Sequence, residues 1–417
     1  MGKVLGFAML FASLAIVEQK LPNGMQVIAV LRPDTPYAVA SLWVRSGSAD
    51  DPPTKEGTAH LLEHLLPLSP YGNATVQIRM ENMGALLVPE TGQNFMAFSL
   101  HAEPSLLLRA FPLLVKMATE LRVDVAMVER EKELMRLEML ALHEDPLWAM
   151  KTLLKARLFE GTAHAHPPVG WLDTLAQLTL DDARQFHRQH FRALNMALIA
   201  VVPDRATLDA LTDIASQFSA TSVDAAPTAT MVHRPLPIDT LLPFLVRPLR
   251  HPSEAFWGIG WRVEMSASEK VTMDALMLHL RQAIAPAIFG RVGAVREWAL
   301  VANPVRGAVA ITLVARLRPT TDLPERLWRQ ALQQLAEQGL EEAKMEQLRR
   351  QLLLHHERST ADPLQCAKQL GWAWALNDEP ELVSRYEQMV ASLDGEQIRR
   401  LAQRLTKTDP ISVTVKH

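Results

Sequence analysis

The five residues His60-Leu61-Leu62-Glu63-His64 constrain this chain more than any other stretch, because their three polar side chains can act together only on a helix. Residues four apart on an α-helix stand one above the other, and residues three apart are neighbours on the same face. His60 and His64 can therefore grip one metal ion while Glu63 points into the same space. Zinc takes imidazole nitrogen readily, and a catalytic zinc site keeps one position open for water. A chain with 14 histidines also yields such pairs by chance, so the plain alternative is two structural histidines. The surroundings decide between the two.

Two histidines leave zinc short of a protein ligand, which directs attention to a carboxylate on a second helix. The run Val128-Glu129-Arg130-Glu131-Lys132-Glu133-Leu134-Met135-Arg136-Leu137-Glu138-Met139 is rich in strong helix formers and contains neither Gly nor Pro. Glu131 and Glu138 lie two helical turns apart and share a face. One can ligate the metal while the other steadies a ligand or the attacking water. Read without that context, the same run is a solvated helix surface.

At 417 residues the chain is too long for one ordinary core, and two or more domains are expected. Its 48% hydrophobic and 21% charged residues describe a globular protein with large cores. A net charge of −3 without clustered Lys and Arg argues against a nucleic-acid surface. The lone Cys366 excludes an intramolecular disulfide and reads as a small buried hydrophobe. Lys3 precedes an apolar run from Val4 to Val17 that is too short for a stable membrane span. Residues 1–15 read as a possible signal segment, implying a periplasmic or secreted protein. The alternative is an extra strand or helix packed on the first domain of a cytoplasmic protein.

Strand runs Ile16 to Leu21 and Met25 to Leu31 flank Pro22-Asn23-Gly24, a strong hairpin signal. A strand is expected over Ala38 to Ser46, then the His60–His64 helix, which Pro67 should stop near Leu66. A strand over Asn94 to His101 precedes helices at about 104–121, 125–143, 145–159 and 179–190, then a strand over Ala197 to Val202. Residues 218–235 are poor in large apolar groups and read as a linker. Beyond it, strands over Ala255 to Val263, Ala308 to Ala315 and Ile411 to Val415 alternate with helices at 267–288, 322–358 and 363–376. Trp372 and Trp374 read as core. The fold class is thus α+β, with helices packed on one face of each sheet.

Leu21-Pro22-Asn23-Gly24-Met25-Gln26-Val27, Trp43-Val44-Arg45-Ser46-Gly47-Ser48 and Gly57-Thr58-Ala59-His60-Leu61-Leu62-Glu63-His64 together resemble the pitrilysin/insulinase family of zinc metallopeptidases. The order His-x-x-Glu-His is the inverzincin signature. The segment from Glu129 to Met139, Gly170 and Leu194-Asn195-Met196-Ala197-Leu198 extend the likeness over roughly residues 16 to 205. The resemblance implies two homologous α+β domains, each a mostly antiparallel sheet with helices packed on it: 16–217 bearing the zinc, and 236–417 without a metal site. It implies Zn2+ held by His60, His64 and Glu138, with Glu63 as general base and Glu131 as a supporting acid. A peptide is the implied substrate.

The chain departs from the family in three places. Family members active as single chains carry an Arg-Glu-x-x-Gly-Leu-x-Tyr type of segment that holds substrate. Here it reads Arg296-Glu297-Trp298-Ala299-Leu300-Val301-Ala302-Asn303, which keeps Arg296 as a substrate-binding candidate but loses the glycine and the tyrosine. Leu65 to Pro70 replaces a Lys-Gly-Thr type of turn, and Val88-Pro89 replaces an Asn-Ala step on the strand expected to pair with substrate. An intact metal set with a broken substrate-holding pair implies a heterodimer in which a paralogous subunit supplies the Arg and Tyr. The alternative is a non-catalytic scaffold or assembly subunit that has kept its zinc site.

Overall fold

The computed structural model describes residues 14–218, 254–289, 295–318 and 323–416, together with Leu245 and Leu249. The hairpin β1 (Ile16–Lys20) and β2 (Gln26–Leu31) is closed by Gly24 at φ 91°. There follow β3 (Ala38–Val44), α1 (Thr58–Leu65), the short pair β4 (Pro70–Tyr71) and β5 (Ala74–Thr75), α2 (Val76–Asn82), β6 (Leu86–Thr91) and β7 (Met96–Ala102). Helices α3 (Pro104–Thr119), α4 (Val125–His143), α5 (Pro146–Leu158), α6 (Leu172–Gln177) and α7 (Leu180–His190) lead to β8 (Met196–Val202) and α8 (Arg205–Ser216). The second half comprises β9 (Ala255–Glu264), α9 (Lys270–Phe289), β10 (Val295–Val305), β11 (Ala308–Leu317), α10 (Leu323–Gln338), α11 (Glu342–Ala361), α12 (Pro363–Asn377), α13 (Leu382–Ala391), α14 (Gly395–Lys407) and β12 (Ile411–Lys416).

These elements form two α+β domains. The first sheet runs β1-β2-β8-β3-β7-β6, antiparallel except where β2 meets β8, and the second runs β10-β11-β9-β12, antiparallel throughout. Every residue of β3 and β8 is buried; β8 is an unbroken apolar run, and β3 is apolar except for Ser41, whose hydroxyl bonds that of Ser99 at 2.8 Å. The period of two then sorts them: Ala40, Leu42, Leu198 and Ala200 face the core under α3 and α8, while Val39, Trp43, Ile199 and Val201 face the other way.

Here the expectation of helices on one sheet face is corrected, because that other face is covered by a helix from the opposite half. Cys366, Ala367, Leu370, Ala373 and Trp374 of α12 pack on the first sheet. Reciprocally, Ala149, Met150, Leu153 and Leu154 of α5 pack on Phe256, Val314 and Val415 of the second. Glycines admit both helices. A Cβ on Gly371 would lie 2.1 Å from the Trp43 ring, and one on Gly258 would lie 2.7 Å from Leu154. Buried Cys366 sits in the first of these interfaces.

Other expectations also shift. The helix read at 322–358 is two, broken where Gly339 takes φ +68°. Trp372 is not core but 36% exposed, because it lies about 200° around α12 from buried Trp374. Helices α2, α6, α8, α13 and α14 and strands β4, β5 and β10 had not been read from the sequence. Residues 1–13 of the signal-like segment and 219–235 of the linker stretch lie outside the described residues, and Phe218 itself is buried in the first core. No described helix is long and apolar enough to cross a membrane.

Candidate metal site

The site begins with how α1 is started and pinned. Gly57 precedes the helix at φ 102°, and the buried Asp51 carboxylate accepts from the backbone N–H of Gly57 at 2.6 Å and of Ala59 at 2.7 Å. Asp51 thereby serves donors that a helix start leaves without partners. Burial pushes its carboxyl well above the usual range, against the pull of those two N–H groups. The Pro167–Gly170 loop packs on this start so closely that a Cβ on Gly170, at φ +74°, would lie 2.2 Å from the Glu56 carbonyl oxygen. At the other end Pro67 turns the chain into a 3-10 turn, and α1 stops at Leu65.

The apolar residues between the polar ones set the register. Leu61 and Leu65 of α1 pack on Val128, Met135 and Met139 of α4. On α4 the positions 128, 131, 135 and 138 form one stripe, so the same packing presents Glu131 and Glu138 to His60 and His64.

One ligand atom from each of His60, His64 and Glu138 lies within 4.8 Å of the others, the one such group of three among the described residues. Nε2 of His60 stands 3.7 Å, and Nε2 of His64 3.5 Å, from Oε2 of Glu138. Ligands 2.0–2.2 Å from a tetrahedral zinc are about 3.3–3.6 Å apart, close to both histidine–Glu138 separations. The imidazole rings meet edge to face at 4.7 Å. Nδ1 of His64 lies 3.4 Å from Oε2 of the buried Glu131, an arrangement that turns Nε2 toward Glu138. Buried Nδ1 of His60 has no hydrogen-bond partner.

The electrostatics suit a cation. Burial pushes the His60 imidazole down to about 4, helped by His64, so it stays neutral with a free lone pair. Burial also presses His64 down, but the Glu138, Glu63 and Glu131 carboxylates outweigh it and hold the ring above its ordinary value. The His64 contact keeps Glu138 below the usual carboxylate range. Burial raises Glu63.

His60, Glu63 and Glu138 line a cavity of about 470 Å³. Edge strand β6 contributes Pro89, Glu90 and Thr91, α5 contributes Lys151, Thr152 and Lys155, and β10 contributes Val301 and Asn303. Asn303, singled out in the sequence, thus reaches the site from this chain's own second half. Arg296 does not. It lies seven residues away on β10, roughly 23 Å along a strand, where its guanidinium pairs with buried Glu254 at 3.1 Å beside Arg316. The lysines of α5 were missed by sequence reasoning. Their signal was two like charges at i and i+4 on a largely apolar helix that also carries Arg157, and it had no meaning before α5 was placed.

Two α+β domains around an inverted His-x-x-Glu-His helix and a distant glutamate make this a candidate metallohydrolase of the inverzincin kind. Residues 26–168 match the family described as insulinase (peptidase family M16). An uncharacterized zinc protease of Mycobacterium tuberculosis is 28% identical over 191 residues, 45% of this chain and 44% of that protein. Subunit 1 of the mitochondrial cytochrome b-c1 complex of Bos taurus is 25% identical over 256 residues, 58% of this chain and 51% of that one. The chain therefore spans about half the length of these curated relatives. Among solved structures, a protease from Helicobacter pylori superposes with a TM-score of 0.79 at 15% identity, covering 97% of this chain and 100% of that one. An inactive M16 peptidase domain from Pseudomonas fluorescens gives 0.78 at 14%, covering 96% and 97%. At such identities these two likenesses speak for the fold alone.

Proposed function

We propose that this chain is the zinc-bearing subunit of a heterodimeric metalloendopeptidase that hydrolyses peptides or unfolded polypeptide segments. The observation that carries the reading is the convergence of His60, His64 and Glu138 beside Glu63 on one cavity. The three donors would hold the ion, and Glu131 would orient His64. Zinc held there supplies Lewis acidity toward a carbonyl and toward water near neutral pH. Glu63, one residue before a ligand, takes a proton from the attacking water and returns it to the leaving amine, a role worth roughly 10²–10⁴-fold. An extended peptide would lie along edge strand β6 by β-augmentation, where Pro89 withholds one donor.

The partner is part of the proposal. Asn303 has no phenolic hydroxyl to offer, and Arg296 is held by Glu254. A paralogous subunit would supply the missing Arg and Tyr. The signal-like segment after Lys3 supports a periplasmic or secreted location, with a cytoplasmic one as the alternative. The second reading, a non-catalytic subunit that keeps its metal, is favoured by the altered Arg296–Asn303 segment. Cleavage of an unstructured peptide by the zinc-loaded chain, alone and mixed with a paralogue, separates the two. The peptidase reading expects at least about 10²-fold faster cleavage in the mixture, since misplacing substrate by an ångström costs that much. A chain that binds zinc but never cleaves, alone or mixed, would leave the scaffold reading.

A further inference from the structure

The face of α5 turned to the metal site carries a charge that the fold does not use. Its apolar residues Ala149, Met150, Leu153 and Leu154 are spent on the second sheet, which directs Lys151, Thr152 and Lys155 into the cavity that also holds His60, Glu63 and Glu138. Neither lysine side chain has a hydrogen bond or an ion pair among the described residues. Burial alone pushes the Lys155 ammonium down to about 8. An unpaired buried charge is costly, and two lysines at i and i+4 repel each other. A methionine would fill the space of Lys155 without either cost. The positive field extends beyond them. Nearby His164 is pushed down to about 4 by burial, and then by Lys155, His166, Arg306 and Arg262. The cavity thus holds carboxylates and an imidazole of the metal group on one set of elements and two lysines on α5.

Resting on the reading of this site as a peptidase centre, we propose that Lys155, with Lys151 beside it, forms a carboxylate-binding subsite that selects peptides bearing an acidic side chain or a free C-terminal carboxylate near the scissile bond. An unmodified peptide offers no other anion. A lysine ammonium meets a carboxylate as a point charge without demanding a bidentate approach. The substrate's carboxylate then completes the ion pair that the described residues leave open.

The test is binding, which does not depend on turnover. Zinc-loaded full-length protein carrying Glu63→Gln is titrated with fluorescein-labelled decapeptides that differ only by Glu or Gln at each position, each as free acid and as amide. A charge-assisted hydrogen bond makes the preferred Glu peptide roughly ten- to a hundredfold tighter than its Gln counterpart. If the terminal carboxylate is the source, free acid exceeds amide by the same factor. Lys155→Met, which keeps the aliphatic stem, and Lys155→Gln each abolish the preference at unchanged zinc content. Equal Kd values across the set, or a preference that survives both variants, overturn the proposal. If no peptide binds the isolated chain, the peptidase reading still stands, because it assigns substrate holding to a partner subunit, and the subsite needs a smaller probe. Titration with N-acetylglutamate against N-acetylglutamine then decides the subsite: selectivity lost in Lys155→Met sustains it, and equal or absent binding overturns it.

Discussion

Glu131 and Glu138 show what residue spacing can and cannot resolve. Both sit on one face of α4, and periodicity made them interchangeable. The structure distinguishes them by the ring nitrogen of His64 that each meets, Nε2 for Glu138 and Nδ1 for Glu131. A carboxylate behind a metal-binding imidazole fixes its tautomer and orientation, and losing it typically costs 10–100-fold in affinity. Glu131→Gln should therefore weaken zinc binding by roughly that factor without abolishing it, as measured by competition with a chromophoric chelator. Wild-type affinity in that variant would remove Glu131 from the site. His60, Glu63 and His64 were legible because all lie within five residues on one helix. Lys155 was not, since what it faces depends on a contact between α5 and a sheet about a hundred residues later in the chain.

The same difference separates the elements. The β1–β2 hairpin, α1 and the mostly apolar, buried β3 and β8 were legible because local pattern decides them. Helix α8 and the pair α13 and α14 were passed over although their apolar faces are well formed, and Gly339 was not taken as a helix stop. What no local pattern carries is the exchange of α5 and α12 between sheets. Gly371 tests it. In a helix, Gly→Ala gains roughly 1 kcal/mol from propensity, but here the new methyl would sit 2.1 Å from the Trp43 ring in a fully buried interface. Overpacking of this kind costs about 1–3 kcal/mol. Gly371→Ala should accordingly lower the urea midpoint despite its better propensity. A raised midpoint would mean that α12 does not approach the first sheet this closely.

At the scale of the molecule, reciprocal helix exchange makes the two halves one folding unit. Without α12, the first sheet would expose Val39, Trp43, Ile199 and Val201 to water. Residues 1–218 expressed alone should bind a hydrophobic dye or aggregate, and co-expression with the remainder should rescue them. A soluble, cooperatively unfolding first half would refute this interdependence. The exchange also carries function, since it places α5 and β10 as walls of the metal cavity. The most direct test of the whole account is to strip the protein with a chelator, return zinc stepwise in the presence of the proposed paralogous subunit, and follow cleavage of an unstructured peptide. Activity should rise linearly and level off at one zinc per chain, Glu63→Gln should take up the same equivalent without cleaving, and His60→Ala should do neither. Cleavage that survives chelation, or one equivalent of zinc still bound tightly by His60→Ala, would contradict it.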